Sequence, residues 1–416
     1  MVFGLCSLLP GDECPAGESV VPNHGATGVW EGRPEDPLRR PRIGLDLHVV
    51  DGIYQGSRTH CLELFSRVIE ITPECDFVIF LDEPSTLVRF SEGFLRANAR
   101  IVRMPQASAL KRLLWQLPRL ARKEQLDLLH TQYIAPPLSS CRTAVTVHDI
   151  LFESHPQYFS RFFVARSRLL VRHSVHQSAE IFTVSEFSRN QIASTYAVGL
   201  DRIHTIFNGV DQTRFFPGQE GSEVVRGAGL EPGNYFLTVG RLEPRKNHAG
   251  LLRAWATLPG PRPQLAIAGE RDFGYQEALR LRESLGLTAD VKLLGKVPDE
   301  LLPAYFRSAK AFMYCSWAEG FGMPILEAMA SGVPVISSAN TALREVCGDA
   351  ALLVDPADIG AIGDAIGAVD SQADLRCRLI QCGLERIRNY TWEQAAQTVR
   401  EAYLDCFGMR CSRKTV

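Results

Sequence analysis

The stretch YFLTVGRLEPRKN runs an apolar strand pattern straight into two cations, Arg241 and Lys246, just ahead of a helix expected from about Asn247. Cations at a helix N-terminus, where backbone N–H groups and the positive dipole end also point, make an anion site suited to a diphosphate. A solvated basic turn is the competing reading, since Arg and Lys are common at strand ends. Downstream, CSWAEGFGMPILEAMASGVPVISS sets Gly320 and Gly322 on either side of Phe321, with Pro324 where a first helical turn starts. Glu319 precedes this turn and Glu327 lies in the helix, so one carboxylate faces the loop mouth and the other stands about one turn in. Beside a phosphate site, carboxylates can accept hydrogen bonds from sugar hydroxyls. The plainer alternative makes Glu319 a loop residue and Glu327 a solvated helix position. His148 closes the strand TAVTVHD, where a histidine seen alone is more often structural or solvated, and its neighbour Asp149 carries a weaker signal still.

The elements around these residues alternate. From Arg42, short apolar runs (IGLDLHVV, DFVIFLD, ARIVRM, LDLLHTQY, TAVTVHDI, AEIFTVS) exchange with amphipathic segments, and the alternation restarts after FFPGQEGSEVVRGAGLEPG with YFLTVG, QLAIAGE, VKLLGKV, AFMYCS, PVISS and ALLVDP. Strands alternating with helical patterns imply parallel sheets covered on both faces. The expected architecture is α/β with two doubly wound Rossmann-like domains facing an interdomain cleft, where the carboxyl ends of both strand sets bind ligands. Residues 1–41, rich in Gly, Pro and acidic residues, read as a loose, disordered extension. Residues 42–215 read as an acceptor-side domain and 216–390 as a nucleotide-sugar-binding domain. Residues 391–416 read as a helix packing back toward the first domain.

The 416 residues suffice for two to four domains, and 45% hydrophobic with 22% charged residues is a globular composition. With 45 Lys and Arg against 47 Asp and Glu, the chain lacks the basic excess of a dedicated nucleic-acid binder. Eleven cysteines without a close C-x-x-C pair fit neither a disulfide framework nor a zinc site, which points to reduced thiols in the cytoplasm. No apolar run approaches a membrane span, and the start MVFGLCSLLPGDE lacks the basic region of a signal peptide.

EGFGMPILEAMASGVPV, with GRLEPRKN upstream and TALREVCGDAALLVDP downstream, resembles the retaining GT-B glycosyltransferases of family 4, within them the bacterial mannosyltransferase-like group that builds O-antigens and other polysaccharides. LLGKVPDELLPAYFRSAKAF, TVHDILFESHPQYFS, TVSEFSRNQI and FNGVD resemble the family in the expected order, over about Arg42 to Leu404. The resemblance implies that Arg241 and Lys246 hold the donor diphosphate, that Glu319 contacts sugar hydroxyls, and that Glu327 contacts the nucleotide ribose. It further implies that Gly240 and the backbone of Gly320, Phe321 and Gly322 lie against the donor, and that His148 lies near the sugar and acceptor. Base recognition is expected around Gly295 to Val297, largely through backbone atoms. The implied chemistry has the acceptor oxygen attack from the face the leaving group departs, with a donor phosphate oxygen taking the proton, so no protein general base is assigned. The subgroup resemblance points to GDP-mannose as donor substrate, without a further cofactor, and to a glycan or lipid-linked acceptor. No Asp-x-Asp motif lies at a strand end, and no metal is expected where Arg241 and Lys246 carry the charge.

Two departures stand out. Where many members carry a Gly-Gly-Ile-Gly-type turn, this chain has DGIYQGSRTHCLEL, whose Gly52 and Gly56 still supply an acceptor-side loop into a helix near Ser57. Arg344 in TALREV replaces a usual proline, with a local change and no loss of activity expected. A nucleotide-dependent oxidoreductase would need a G-x-G-x-x-G turn after a first strand, which neither GLDLHVVDGIYQGS nor YFLTVGRLEPRKN supplies. A catalytically inactive nucleotide-sugar-binding relic has little reason to keep Arg241, Lys246, Glu319 and Glu327 together. Between Arg100 and Arg172 lie twelve basic against four acidic residues, concentrated in ALKRLLWQLPRLARK and RFFVARSRLLVRH. Peripheral contact with the inner face of a membrane is expected there, unless Pro118 breaks the first helix and turns Trp115 inward, and the second segment is a helix with a solvated basic face.

Overall fold

The computed structural model describes residues 39–52 and 56–409, so the extension assigned to residues 1–41 lies almost wholly outside the described residues. Among the described residues, thirteen strands form two sheets. β1 (Arg42–Asp46), β2 (Asp76–Leu81), β3 (Ala99–Arg103), β4 (Leu128–Gln132), β5 (Arg142–Thr146), β6 (Glu180–Thr183) and β7 (Ile203–Thr205) build the first, in the order β3-β2-β1-β4-β5-β6-β7. β8 (Tyr235–Val239), β9 (Gln264–Ala268), β10 (Val291–Gly295), β11 (Ala311–Tyr314), β12 (Val335–Ser338) and β13 (Ala351–Val354) build the second, in the order β10-β9-β8-β11-β12-β13. The pairings are parallel, with Ile43 opposite Phe77 in the first sheet and Phe312 opposite Val335 in the second. Strands such as DFVIFL are buried at every position, as expected where helices cover both faces.

In each sheet the strand order reverses once, between β1 and β4 and between β8 and β11, opening a crevice at the carboxyl ends. The loops leaving those four strands carry Gly52, Tyr133, Gly240 to Lys246, and Glu319 to Gly322, and Gly56 opens the helix that follows β1. The helices that frame the crevices are α1 (Gly56–Ile71), α2 (Arg161–Gln177), α3 (Glu186–Tyr196), α4 (His248–Thr257), α5 (Met323–Ala330), α6 (Thr341–Cys347) and α7 (Trp392–Cys406). α7 packs against α1, and its Ala395, Ala396, Val399 and Tyr403 share one core with Leu64 of α1 and with Ile43 and Phe77 of the first sheet. The Tyr403 hydroxyl is hydrogen-bonded to His130 in the middle of β4.

The segment ALKRLLWQLPRLARK departs from the helix break considered at Pro118. The helical path continues through a π turn at Arg112–Gln116 into Leu117–Lys123, and Trp115 is 74% exposed. Proline is tolerated because it sits in the first turn of the α segment, where its missing N–H costs little, and the wider π turn precedes it.

Candidate active site

The donor-side crevice is built around a charge cluster. Asn247 adopts a left-handed conformation (φ 56°) and caps α4, its side chain accepting from Gly250 N (3.2 Å) and donating to Cys315 O (3.1 Å) and Pro356 O (2.8 Å). This anchors the 3₁₀ turn Pro244–Lys246 against the loop after β11. Lys246 Nζ bonds Tyr314 Oη (2.6 Å) and Glu319 Oε1 (2.7 Å), while Arg245 donates to Glu319 Oε2 (2.7 Å), Ala318 O (2.7 Å) and Glu243 Oε1 (2.6 Å). Both oxygens of Glu319 are thus held by cations, and a carboxylate oxygen can accept more than one hydrogen bond. Burial works against the Glu319 carboxylate, but Arg245 and Lys246 outweigh it and hold its pKa near 2. Burial pulls the Lys246 ammonium below the usual lysine range, with Glu319 opposing. Arg241 pairs separately, through Asp272 Oδ2 (2.6 Å). Arg245 was not singled out from the sequence, although it adjoins Lys246 in GRLEPRKN.

The glycine turn behaves as a close-approach device at two positions. A Cβ on Gly322, whose φ is 103°, would lie 2.6 Å from Leu343, and one on Gly320 would lie 2.7 Å from the Asp149 Cβ across the cleft. The Phe321 ring is buried against Tyr390, so only its backbone is left to meet a ligand. Glu327 is half-buried on α5, and its pKa is raised to about 7 by burial and then by Asp299, with Arg214 opposing. Gly295 ends β10 with its carbonyl accepting from Gly269 N (2.8 Å), and Val297 packs against the second-domain core. Gly240 follows β8, its N–H bonded to Ala268 O (2.9 Å).

On the opposite wall, His148 Nε2 lies 2.9 Å from Gln132 Oε1, and its ring stands edge-on to His60 at 4.6 Å. Burial, then His60 and His130, push its pKa well below the usual histidine value. Asp149 accepts from Leu151 N (3.0 Å), and burial raises its pKa despite Arg245 nearby. Gly52 closes the turn after β1, and a Cβ on Gly56 would lie 3.0 Å from Met323, placing the start of α1 against α5. Direct bonds join the two walls. Ser185 Oγ donates to Gly320 O (2.9 Å), and the first N–H groups of α3, from Glu186 and Phe187, donate to the two carboxylate oxygens of Glu345 (2.9 Å each). Glu345 comes from α6, beside the exposed Arg344, and acts as a helix cap supplied from across the cleft. The structure therefore brings Lys246 and Glu319 together with Arg245, sets Gly320 against the loop carrying Asp149 after His148, and leaves Arg241 paired with Asp272.

Two parallel sheets with facing switch points, a cluster of paired Arg, Lys and Glu side chains on one side and a buried polar wall on the other, define a GT-B glycosyltransferase. Sucrose-phosphate synthase from Thermosynechococcus elongatus shares this fold, with a TM-score of 0.73 at 20% identity over 89% of this chain and 100% of that chain. The model for Glycosyltransferase Family 4 matches residues 56–214, and that for Glycosyl transferases group 1 matches residues 226–386. The chain is 36% identical to O-antigen chain mannosyltransferase B of Escherichia coli over 63% of its length and 70% of that protein. It is 30% identical to O-antigen chain mannosyltransferase RfbU of Salmonella typhimurium, over 63% and 68%. The chain belongs to the family 4 glycosyltransferases and is a glycosyltransferase. Among the described residues, no helix is long and apolar enough to cross a membrane, and no three His, Cys, Asp or Glu side chains gather as metal ligands.

Proposed function

We propose that this enzyme transfers mannose from GDP-mannose, with retention of anomeric configuration, to a glycan or lipid-linked acceptor in polysaccharide synthesis. The observation that carries the reading is the Arg245–Glu319–Lys246 cluster in the loops leaving β8 and β11, on a chain 36% identical to an O-antigen mannosyltransferase. Positive charge fixed at that point stabilises the departing diphosphate without reorganisation. Arg241 and Lys246 hold the diphosphate, Glu319 takes sugar hydroxyls on its remaining lone pairs, and Glu327 takes the ribose. His148 faces the sugar and acceptor. A donor phosphate oxygen accepts the acceptor's proton, and the cations do the work a divalent metal does in other nucleotide-sugar enzymes. A purely binding role is disfavoured because Lys246 and Glu319 are kept together, with Arg245 and Lys246 both bonded to the Glu319 carboxylate.

The acceptor is lipid-linked and is met at an anionic bilayer through the first domain. Supporting this, Leu110, Trp115, Phe162 and Leu169 are 69–77% exposed, among Lys111, Arg119, Arg161, Arg168 and Arg172. The functional test is incubation of the purified chain with GDP-, UDP-, ADP- and dTDP-sugars and a panel of lipid-linked glycans, followed by mass spectrometry and NMR of the product. Mannose transfer from GDP-mannose with an α-linked product is expected. Transfer from a different nucleotide sugar, or an inverted product, would replace the donor or the stereochemistry proposed.

A further inference from the structure

We infer that Gln132 and His60 are positioning residues that hold His148 as a neutral imidazole protonated on Nε2, so that Nδ1 meets a substrate hydroxyl as a hydrogen-bond acceptor. The inference rests on the reading of the cleft given above and extends it to two residues outside the charge cluster. Gln132 ends β4 and His148 follows β5, neighbouring strands whose register pairs Gln132 with Thr146, so the two side chains meet just beyond the sheet. A ring nitrogen 2.9 Å from the Gln132 carbonyl oxygen carries the proton, and in a neutral ring the lone pair is then on Nδ1. Among the described residues, none is hydrogen-bonded to Nδ1.

The partner's chemistry matters as much as its position. A carboxylate at position 132 would stabilise an imidazolium, whereas an amide orients the ring and leaves its charge unsupported. His60, buried on α1, is fixed by Asn208 Oδ1 at 2.7 Å and presses edge-on against His148. From β4 comes a further buried imidazole, His130. The remaining polar groups on this wall are Tyr133, tilted over His148 at 5.3 Å, and Asp149, which bonds Leu151 N and the Tyr133 hydroxyl. From the opposite wall, Arg245 and Glu319 act on Asp149 with opposite sign. Burial and two neighbouring imidazoles thus all favour the neutral ring. His60 Nε2 and Gln132 Nε2 are buried without a partner among the described residues, one an acceptor and one a donor in the orientations given. Polar atoms of this kind suit a bound hydroxyl or water. A neutral acceptor at this point selects for a hydroxyl over a hydrogen or ether oxygen, and it leaves proton removal from the acceptor to the donor phosphate.

The test is long-range ¹H–¹⁵N NMR of the histidine rings in the full chain without donor, with His148 assigned through His148→Phe. The expected spectrum at pH 7 is a neutral ring with its proton on Nε2. In Gln132→Glu, the charge beside the ring raises the proton affinity of His148 by tenfold to a thousandfold, and the acid limb of kcat/KM moves to higher pH with it. Gln132→Met keeps the volume and removes the lock, so the tautomer ratio shifts and kcat falls more than KM rises. A cationic ring or an Nδ1–H tautomer in the wild type overturns the inference. So does an unmoved His148 titration in folded Gln132→Glu. Because the spectra are taken without donor, they judge the imidazole independently of which sugar is transferred.

Discussion

Replacing Glu327 by glutamine separates what the site asks of this residue from what the fold tolerates. Its carboxyl is raised from 4.5 to about 7, burial contributing most and Asp299 next, against Arg214. A carboxyl whose pKa rises on folding keeps its proton in the native chain after the unfolded chain has lost it. Native stability from this group is therefore full below pH 4.5 and is lost as pH climbs through 7. The whole interval corresponds to about 3 kcal/mol, and solvent reaching one side of a half-buried group reduces this to about 1–2 kcal/mol. Urea unfolding of both proteins at pH 5 and pH 8.5 reads the difference. Relative to pH 5, Glu327→Gln should gain about 1–2 kcal/mol on the wild type at pH 8.5. The ribose role adds a linked expectation, since a diol donates to the ionised carboxylate. GDP should bind more tightly as pH rises from 6 to 8 and release a proton, detected by calorimetry in buffers of different ionisation enthalpy, and the variant should lose both the pH dependence and part of the affinity. Parallel stability curves for the two proteins would refute the raised pKa. Binding without proton release would refute the ribose role.

Arg241→Ala, Arg245→Ala and Lys246→Ala should each lower turnover by about 10²–10³. Glu319 keeps at least one cation in every case, so circular dichroism should remain native, and wild-type turnover in any variant would remove that residue from the site. Gly320→Ala forces a methyl to within 2.7 Å of Asp149; an overpacking cost of about 1–3 kcal/mol should open the cleft and reduce kcat/KM roughly ten- to a hundredfold, an effect that Asp149→Gly should relieve. Turnover should survive EDTA, and a loss restored by Mg²⁺ or Mn²⁺ would show that the cations do not suffice. The chain should co-sediment with anionic vesicles and much less with neutral ones, weakening with salt, and Trp115→Ser with Phe162→Ser should reduce it; no sedimentation at low salt would favour a soluble acceptor.

The fold was legible because each strand of a doubly covered sheet must be apolar on both faces, so IGLD, DFVIFL and YFLTV announce themselves without partners. The charge cluster was half legible. Lys246 and Glu319 stand out by type and setting, but that Arg245 shares Glu319 while Arg241 turns to Asp272 is decided by the 3₁₀ turn before α4 and by a loop 31 residues downstream. The partners of His148 were hidden for a similar reason. Gln132 lies sixteen residues away on the next strand and Asn208, which fixes His60, lies 148 residues from it, so no local pattern links them. Glu345 shows only as one carboxylate in TALREV, and its task as a cap exists only when two domains meet. Trp115 went outward because a π turn re-phases the helix, a shift that propensity alone does not reveal.

The last helix among the described residues is a structural member of the first domain, and this has a consequence for synthesis. α1 is translated early, yet the face it shares with Ala395, Ala396 and Val399 stays uncovered until α7 arrives, as does the Tyr403 bond that closes over His130. Roughly 190 residues separate β7 from α7, which at ~5–20 residues per second is on the order of 10–40 s on the ribosome. The second sheet, contiguous from Tyr235 to Val354, has all its strands sooner after it begins. A stop codon before Trp392 therefore strikes the half of the enzyme already made: the first domain is left with an open apolar flank, while the downstream sheet keeps every strand.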